Sequence, residues 1–322
     1  MKHMEIVQYN ESYRDAWDEF VLKSNNGTMF HLQKFFDYHK AGKFEWHHLM
    51  MIEKGKIVAV LPGSLTDGIF ESPIGASYGS LVTEELTFEG AMTFVSELLK
   101  YGKKEKYKEF ILTSAPIIYE NYPNQNLDFA MLWQDFQYET HYISSAIQLD
   151  PEREIIPRFQ RTVRNCIRKS LRNEDIHFEI NERYDEFYPI IEENLAKHKA
   201  KPTHSYEDLQ KIRELLPDNL KLFMIYHKKR PIGGSLMFYC NKNVALCFYN
   251  MMRYKDAGLK PIHRVMYEVV KHATENGYRY VDIGVSQQPA SKNPMTPNRN
   301  LIAFKETFDA KTIMRNTFRI KL

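Results

Sequence analysis

Two charged side chains near the end of the sequence lie where apolar runs meet a polar loop. Asp282 falls at the end of the run 278–284, whose alternation predicts a strand. Lys305 lies in a second apolar run, between Phe304 and Phe308. A buried strand that ends in a carboxylate and opens into a long loop is a common way to build a site. We expect Asp282 to act in a site or to bind loop amides. Lys305 either extends to solvent or enters a cleft, where it polarises a carbonyl or holds a phosphate.

A histidine and a lysine follow a predicted helix over 187–198. His198 has an ordinary pKa near working pH, so it is a candidate general base or substrate contact. The alternative is that it only complements the dipole at the helix end. Lys201 lies in the Lys-Pro loop that follows, before Ser205, the predicted N-cap of a helix over 205–216.

A glycine turn with cations stands before a predicted helix over 261–276. Arg253, Gly258 and Lys260 precede its first residue, Pro261. Cations beside the exposed amides of a helix N-terminus form an anion-binding arrangement. The sequence has no GK[ST] loop, GxGxxG or GxSxG, which disfavours nucleotide hydrolysis, dinucleotide redox chemistry and the α/β-hydrolases.

A basic stretch lies between residues 157 and 173, where no acidic residue occurs. Its arginines recur every three or four positions and are predicted to share one helical face. They are Arg158, Arg161, Arg164, Arg168 and Arg172. The stretch is either a solvated face or a platform for a phosphate-bearing ligand: a nucleotide-containing cofactor, tRNA or an anionic lipid.

The elements that must position these residues occur twice. Both halves show helices, then a β-hairpin, a strand, an amphipathic helix and a further strand, about 170 residues apart. The fold class expected is α+β, with two related domains, each a mixed and mainly antiparallel sheet flanked by helices. The predicted domains are residues 1–150 and 151–322.

Composition excludes several classes of protein. The chain has 322 residues, of which 43% are hydrophobic and 26% charged, as in globular proteins. Its net charge of +3 is too small to indicate nucleic-acid binding by itself. No apolar run is long enough for a membrane span, and no signal peptide is evident. Three cysteines without a CxxC pair favour a reducing compartment, so we expect a cytoplasmic protein without a metal site.

Short motifs over nearly the whole chain resemble the FemAB-like branch of the GNAT acyltransferase superfamily, which has two GNAT domains in tandem. They are Ser72-Pro73, 76–79, Arg164-Asn165, Arg168-Lys169, His198, Lys201-Pro202, 231–235, Phe248-Tyr249, 276–278, 282–284, 304–306 and Phe308.

The resemblance implies N-acyl transfer in the second domain, from coenzyme A or aminoacyl-tRNA to an amine. In GNAT folds the donor pantetheine lies along a splayed central strand, and its pyrophosphate binds amides at a helix N-terminus. Strand amides or Lys305 would stabilise the oxyanion, and His198, Asp282 or water would take the proton. Arg253, Gly258 and Lys260 would bind the donor. The substrate contacts would be Tyr78, Arg161, Arg164, Arg168, Lys201 and Tyr249.

The same resemblance implies no permanently bound cofactor. The partners expected are an amine, either a small molecule or a cell-wall precursor, together with tRNA and contact with a membrane surface. The pyrophosphate turn of the family is approximated here only by Arg253 and Gly258. A non-catalytic tandem GNAT protein that binds an anionic glycan-lipid or tRNA is therefore the alternative.

Overall fold

The structure, a computed structural model, describes residues 4–197, 199–288 and 290–322. It divides into two compact units. Unit 1 comprises residues 1–143, 289–296 and 313–322, and unit 2 comprises 144–288 and 297–312. The predicted boundary at residue 150 thus differs from the change at 143/144. The last ten residues belong to unit 1 because their strand pairs with a strand of that unit, from Thr317 opposite Thr113 to Lys321 opposite Glu109.

The elements up to the boundary are, in order, β1 Met4–Gln8, α1 Arg14–Lys23, α2 Gln33–Phe36, β2 Leu49–Glu53, β3 Lys56–Leu61, β4 Ser64–Thr66, β5 Ile69–Ser72, β6 Val82–Thr83, α3 Phe88–Lys104, β7 Glu109–Thr113, α4 Asn126–Trp133 and β8 Gln137–Gln148. The remaining elements are α5 Ile155–Arg158, α6 Arg161–Leu171, β9 Ile176–Asn181, α7 Tyr184–Ala196, α8 Tyr206–Leu215, β10 Leu220–His227, β11 Arg230–Tyr239, β12 Val244–Met252, α9 Pro261–Glu275, β13 Tyr280–Val285, α10 Arg299–Glu306 and β14 Lys311–Lys321. β8 crosses the boundary between the units, and β14 begins in unit 2 and ends in unit 1.

Unit 1 contains an antiparallel sheet in the order β1-β2-β3-β6 and a mixed set in the order β4-β5-β7-β14. Within the second set only β5 and β7 are parallel. The core includes Phe94 and Leu98 of α3, which pack against Phe70 and Phe110 of the strands. Helix α3 is amphipathic because its apolar residues recur at helical spacing, and Thr87 caps it by accepting the Gly90 N–H.

In unit 2 the strand order is β8-β13-β12-β11-β10-β9, and it begins with the end of β8. All neighbours are antiparallel except β12 and β13, which helix α9 connects. Helix α9 packs on the sheet through an apolar stripe that includes Val265, Met266 and Val269. It begins at Pro261 and is followed by Gly277 at φ 76°, a conformation that favours glycine and ends the helix.

The same order of elements recurs in the two units. In unit 1, β1-β2-β3-β6 is followed by α3 and β7, and in unit 2, β9-β10-β11-β12 is followed by α9 and β13. The predicted α+β class, with mixed and mainly antiparallel sheets flanked by helices, is confirmed. Ser205 is the N-cap predicted for α8, since its Oγ accepts the Asp208 N–H at 3.1 Å. Among the described residues, no helix has the length and apolarity needed to span a bilayer.

Candidate active site in unit 2

The two parallel strands of unit 2, β12 and β13, diverge halfway along β12. Their register pairs Val244 with Tyr280 and ends where Leu246 pairs with Asp282. Beyond that point β12 continues along β11 to Met252. β13 instead turns at Gly284, which has φ 74°, and its register with β8 shifts there. One side of the outer half of β12 therefore has no strand partner within the described part of unit 2.

A β-bulge falls in this outer half of β12. The register with β11 pairs Cys247 with Met237 and Tyr249 with Leu236, so it passes over Phe248. Neither neighbouring strand, as far as the structure describes them, is in register with Phe248. The Phe248 ring stacks on Phe238, with 4.6 Å between centroids. The bulge therefore leaves Phe248 without a register partner in either ladder, as far as the structure describes them.

Tyr249 connects this strand to the loop before α8. Its side chain is buried, and its hydroxyl accepts the backbone N–H of His204 at 3.3 Å and lies 3.4 Å from His204 Nδ1. Burial raises the pKa of Tyr249 above its usual value, so the phenol keeps its proton at neutral pH. Lys201, in the same loop, is exposed. His198 lies outside the described residues.

The turn between β12 and α9 leads directly into the N-terminus of α9. A 3₁₀ helix, Tyr254–Leu259, leads to Lys260 in the left-handed region at φ 56°, and no described side chain caps α9. Pro261 has no N–H, and the N–H groups of His263 and Arg264 donate to the Lys260 carbonyl oxygen at 3.1 and 3.4 Å, so it is chiefly the positive end of the helix dipole that attracts anions here. Lys260 is exposed at this end of the helix. At Gly258 an added Cβ would have no atom within 4 Å, so packing does not require glycine there.

Arg253 braces this turn from within. Its Nε donates to the Pro231 carbonyl oxygen at 3.0 Å, and its guanidinium lies 3.6 Å from the Glu193 carboxylate. Its backbone N–H donates to Ile232 O at 2.9 Å. Three of its contacts are thus internal to unit 2.

Asp282 is fully buried where β13 leaves β12. Its Oδ1 accepts the Ser144 hydroxyl at 2.9 Å and the Gly284 N–H at 2.7 Å. The carboxylate thereby ties β8 to the turn at Gly284, which is a bracing role. A catalytic role for Asp282 stays a prediction.

Lys305, on α10, is buried on the other side of the same turn. Its Nζ donates to the carbonyl oxygens of Gly284 at 2.6 Å and Val285 at 3.1 Å. Burial lowers the pKa of Lys305 to about 8, although the carboxylate of Asp282 opposes the shift. The ammonium therefore holds the turn from α10, and its contact with a reacting group stays a prediction.

The basic stretch does not form one helical face, so that prediction is wrong. The helix breaks at Phe159, which is extended at ψ 157°, and α6 restarts after Gln160. Arg158 is turned inward, where its guanidinium binds Asp309 at 2.9 Å. On α6 itself Arg161 and Arg168 are exposed and Arg164 is half-buried. Ion pairs among the described residues include none with these three arginines, so their charges face outward without a carboxylate.

Tyr78 belongs to unit 1, whereas the other predicted site residues belong to unit 2. Its hydroxyl is 3.3 Å from that of Tyr119, and the Arg315 guanidinium lies over its ring at 5.6 Å. In unit 2, by contrast, Tyr249, Asp282 and Lys305 all lie around the divergence of β12 and β13. Sequence analysis did not predict the bulge at Phe248, because a bulge has no marker of its own in the sequence. It did not single out Ser144 either, because the partner of the Ser144 hydroxyl, Asp282, lies 138 positions away in the sequence.

Comparisons with known proteins point to the same unit. Residues 157–290 match the family described as an acetyltransferase (GNAT) domain. No curated protein matches the sequence. Among solved structures, the chain is similar to FemX, with a TM-score of 0.72 and 13% identity over 99% of this chain and 97% of the other.

Two other solved structures share the fold. One is the C-terminal domain of a protein from Agrobacterium fabrum assigned as a lysylphosphatidylglycerol synthetase, with a TM-score of 0.61 and 12% identity over 97% of this chain and 92% of the other. The other is a tandem GNAT protein from the clavulanic acid biosynthesis pathway, with a TM-score of 0.56 and 9% identity over 99% and 98%. At these identities the likeness establishes the fold, and the predicted tandem GNAT architecture is confirmed.

Proposed function

We propose that the second unit of this chain, which has the tandem GNAT fold and whose residues 157–290 match an acetyltransferase (GNAT) domain, is an N-acyltransferase. It moves an acyl or aminoacyl group from an activated carrier to an amine. The observation that carries the proposal is the divergence of β12 and β13 after Leu246 and Asp282, because it exposes one side of β12 directly before the N-terminus of α9.

The chemistry requires a donor for a developing oxyanion. The amine attacks the carbonyl carbon, the bond from that carbon to the carrier's sulfur or oxygen breaks, and the amine proton passes to solvent while the carrier leaves as a thiol or alcohol. The backbone N–H of Phe248, the residue that the bulge leaves without a register partner, is the proposed oxyanion donor. Asp282 and Lys305 act as positioning residues that keep β13 turned away from this amide.

The anionic part of the carrier is proposed to lie at the start of α9. The positive end of the helix dipole and the exposed ammonium of Lys260 suit a pyrophosphate. Arg253 supports this turn through Glu193 and Pro231. The description of the matching family as an acetyltransferase makes acetyl-CoA the first donor to test.

The outward arginines of α6 are proposed to bind a phosphate of the donor or of the acceptor. Arg161, Arg164 and Arg168 carry planar guanidinium groups without a carboxylate partner among the described residues. The likeness to a lysylphosphatidylglycerol synthetase places phospholipids, beside cell-wall precursors and small amines, among the acceptors to test. Lys201 and His198, from the segment before α8, and Tyr249 of β12 are the proposed acceptor contacts.

Product formation tests the proposal directly. Acetyl-CoA, another acyl-CoA or an aminoacyl-tRNA is incubated with the protein and a panel of amines, and mass spectrometry detects the amide. Lys260→Glu should weaken the donor's apparent affinity at least tenfold, because it reverses the charge at the start of α9. Lys271→Glu is the matched control, since Lys271 is an exposed cation of the same helix about 15 Å further along. Absence of amide with every donor would reject the enzyme.

A non-catalytic binder is the second candidate, and the outward arginines of α6 favour it. Thermal stabilisation separates the two functions. A shift with coenzyme A that Lys260→Glu abolishes supports the transferase. A shift with tRNA alone that falls steeply with salt, and that Arg168→Glu abolishes, supports the binder.

A further inference from the structure

Unit 1 contains an open groove that the proposed function leaves unused. It has a volume of about 1000 Å³ and lies between α3, the residues after α4, and the unit 1 ends of β8 and β14. Its apolar surface includes Met92, Leu99 and Ile320, and Trp133 stands beside them. The volume is at the upper end of the usual range for small-ligand sites, so the groove has room for more than one ring-sized group.

Trp133 presents an indole that its neighbours hold in place. The side chain is 68% exposed, the largest exposed fraction among the aromatic residues described. Its ring stacks on Phe129, with 6.0 Å between centroids and 16° between planes. Phe129 in turn packs on Phe88 at 5.6 Å. A fixed and exposed aromatic face at the side of a groove is typical of a binding surface, since exposing it to water has no benefit for folding.

The polar part of the groove is rich in oxygen acceptors whose partners leave capacity to spare. Gln134 uses its amide NH₂ to donate to Met92 O at 3.0 Å, which leaves its side-chain oxygen as an acceptor. Glu139 accepts from Arg319 through one oxygen at 3.2 Å, and Glu97 accepts from Lys100 through one oxygen at 2.7 Å. A carboxylate accepts several hydrogen bonds, so each has further capacity.

The charges of the groove nearly cancel. Four cations line it, Lys100, Lys103, Arg319 and Lys321, against three carboxylates, Glu97, Asp135 and Glu139. A polyanion would need an excess of cations, and a basic peptide would need an excess of carboxylates. An amphipathic helix would need an uninterrupted apolar floor, whereas this one carries Thr93, Ser96 and Gln137.

We infer that the groove of unit 1 binds a neutral oligosaccharide. A pyranose ring has one face of C–H groups, which packs on the Trp133 indole, and a rim of hydroxyls, which donate to Gln134, Glu139 and Glu97. Its lack of charge matches the nearly balanced lining, and several linked rings fit the volume of the groove. The inference does not depend on acyl transfer in unit 2.

Equilibrium binding tests the inference on the full chain. Chitotetraose, cellotetraose and maltotetraose are titrated while tryptophan fluorescence and the heat of binding are recorded. At least one should bind saturably and change the emission, because Trp17 is buried and Trp133 is the most exposed aromatic described. Trp133→Ala should weaken that binding at least tenfold, Trp133→Phe should retain part of it, and Glu139→Gln should weaken it severalfold.

Tyr122→Ala is the matched control, since Tyr122 is 65% exposed in unit 1 but does not line the groove. Its affinity should equal that of the unsubstituted protein, and all four variants should melt at similar temperatures. Three results would overturn the inference: no saturable binding of any of the three sugars, binding that Trp133→Ala leaves unchanged, or selective binding of a cationic amphipathic peptide that Trp133→Ala abolishes.

Discussion

The ammonium of Lys305 lies 2.6 Å from the carbonyl oxygen of Gly284, so a side chain of α10 closes the turn that ends β13. The N–H of the same glycine donates to Asp282 Oδ1 at 2.7 Å. A cation and a carboxylate thus hold both backbone groups of one residue. Because that residue turns β13 away from β12, the pair fixes the divergence on which the proposed site depends.

Replacing Lys305 with methionine should destabilise the protein. Lys305→Met keeps much of the side-chain volume but removes both hydrogen bonds, and a hydrogen bond from a charged group contributes about 1.5–3 kcal/mol. Urea unfolding at pH 7, followed by circular dichroism, measures the difference. Lys311→Met is the control, because Lys311 is an exposed cation whose removal should change the free energy of unfolding by less than about 0.5 kcal/mol. Equal stability of the two variants would contradict the bracing role.

The pH dependence of this difference has a definite sign. The pKa of Lys305 falls from its ordinary value of 10.5 to about 8 on folding because burial disfavours the charge. Between those values the unfolded chain holds a proton that the folded chain has lost, so stability rises with pH. The unsubstituted protein should therefore gain stability relative to Lys305→Met between pH 8 and 10.5. Parallel urea curves across that range measure it, and a flat difference would mean that Lys305 is not buried as described.

Acid should destabilise unit 1 through His31. Burial lowers the pKa of His31 from 6.5 to about 4, and its Nδ1 accepts the Thr28 N–H at 2.9 Å. Protonation of Nδ1 would make the His31 ring a donor that faces the Thr28 N–H, so neither group would have an acceptor. The folded-state pKa lies below the unfolded value, so this contribution is complete above pH 6.5 and is lost as pH falls towards 4. His31→Gln should be less stable at pH 7 but show a shallower loss between pH 6.5 and 4, which thermal unfolding at several pH values would show.

Sequence periodicity was enough to predict the elements that bury an apolar stripe. Helix α9 followed from its apolar spacing, Pro261 and Gly277, and Ser205 was predicted as an N-cap from its type and place. These features are local, so residues close in the sequence determine them. The duplicated order of elements was predictable for the same reason.

Features that depend on distant partners could not be predicted. The break at Phe159 separates Arg158 from α6, and it occurs where Phe159 packs on Phe308 and Arg158 reaches Asp309, about 150 positions away. Strand β14 was missed because its pairing with β7 joins residues about 200 positions apart. Likewise the bulge at Phe248 is defined only against β11.

Substitution of Arg158 should lower stability, whereas substitution of Arg168 should weaken ligand binding. Arg158 is nearly buried and donates twice to Asp309, so Arg158→Ala should lower the free energy of unfolding by about 1–3 kcal/mol. Arg168 is exposed without a carboxylate partner, so Arg168→Ala should change stability by less than about 0.5 kcal/mol. It should instead weaken binding of a phosphate-bearing substrate, with a smaller salt dependence. Urea unfolding and a binding titration on both variants measure the two effects, and a stability loss at Arg168 would contradict the outward placement.

Alanine substitutions at two glycines of unit 2 should have different effects: one should lower stability through packing, and the other should weaken ligand binding. At Gly234 an added Cβ would lie 2.6 Å from Phe223 O, so Gly234→Ala should destabilise the protein by about 1–3 kcal/mol. At Gly258 the Cβ would meet open space and φ is not positive, so Gly258→Ala should fold with unchanged or slightly higher stability. If the donor's pyrophosphate approaches the backbone of this turn closely, the added methyl group obstructs it. Coenzyme A should then bind Gly258→Ala severalfold more weakly, as measured by calorimetry. Equal affinity would show that the donor lies elsewhere, even with the protein fully folded.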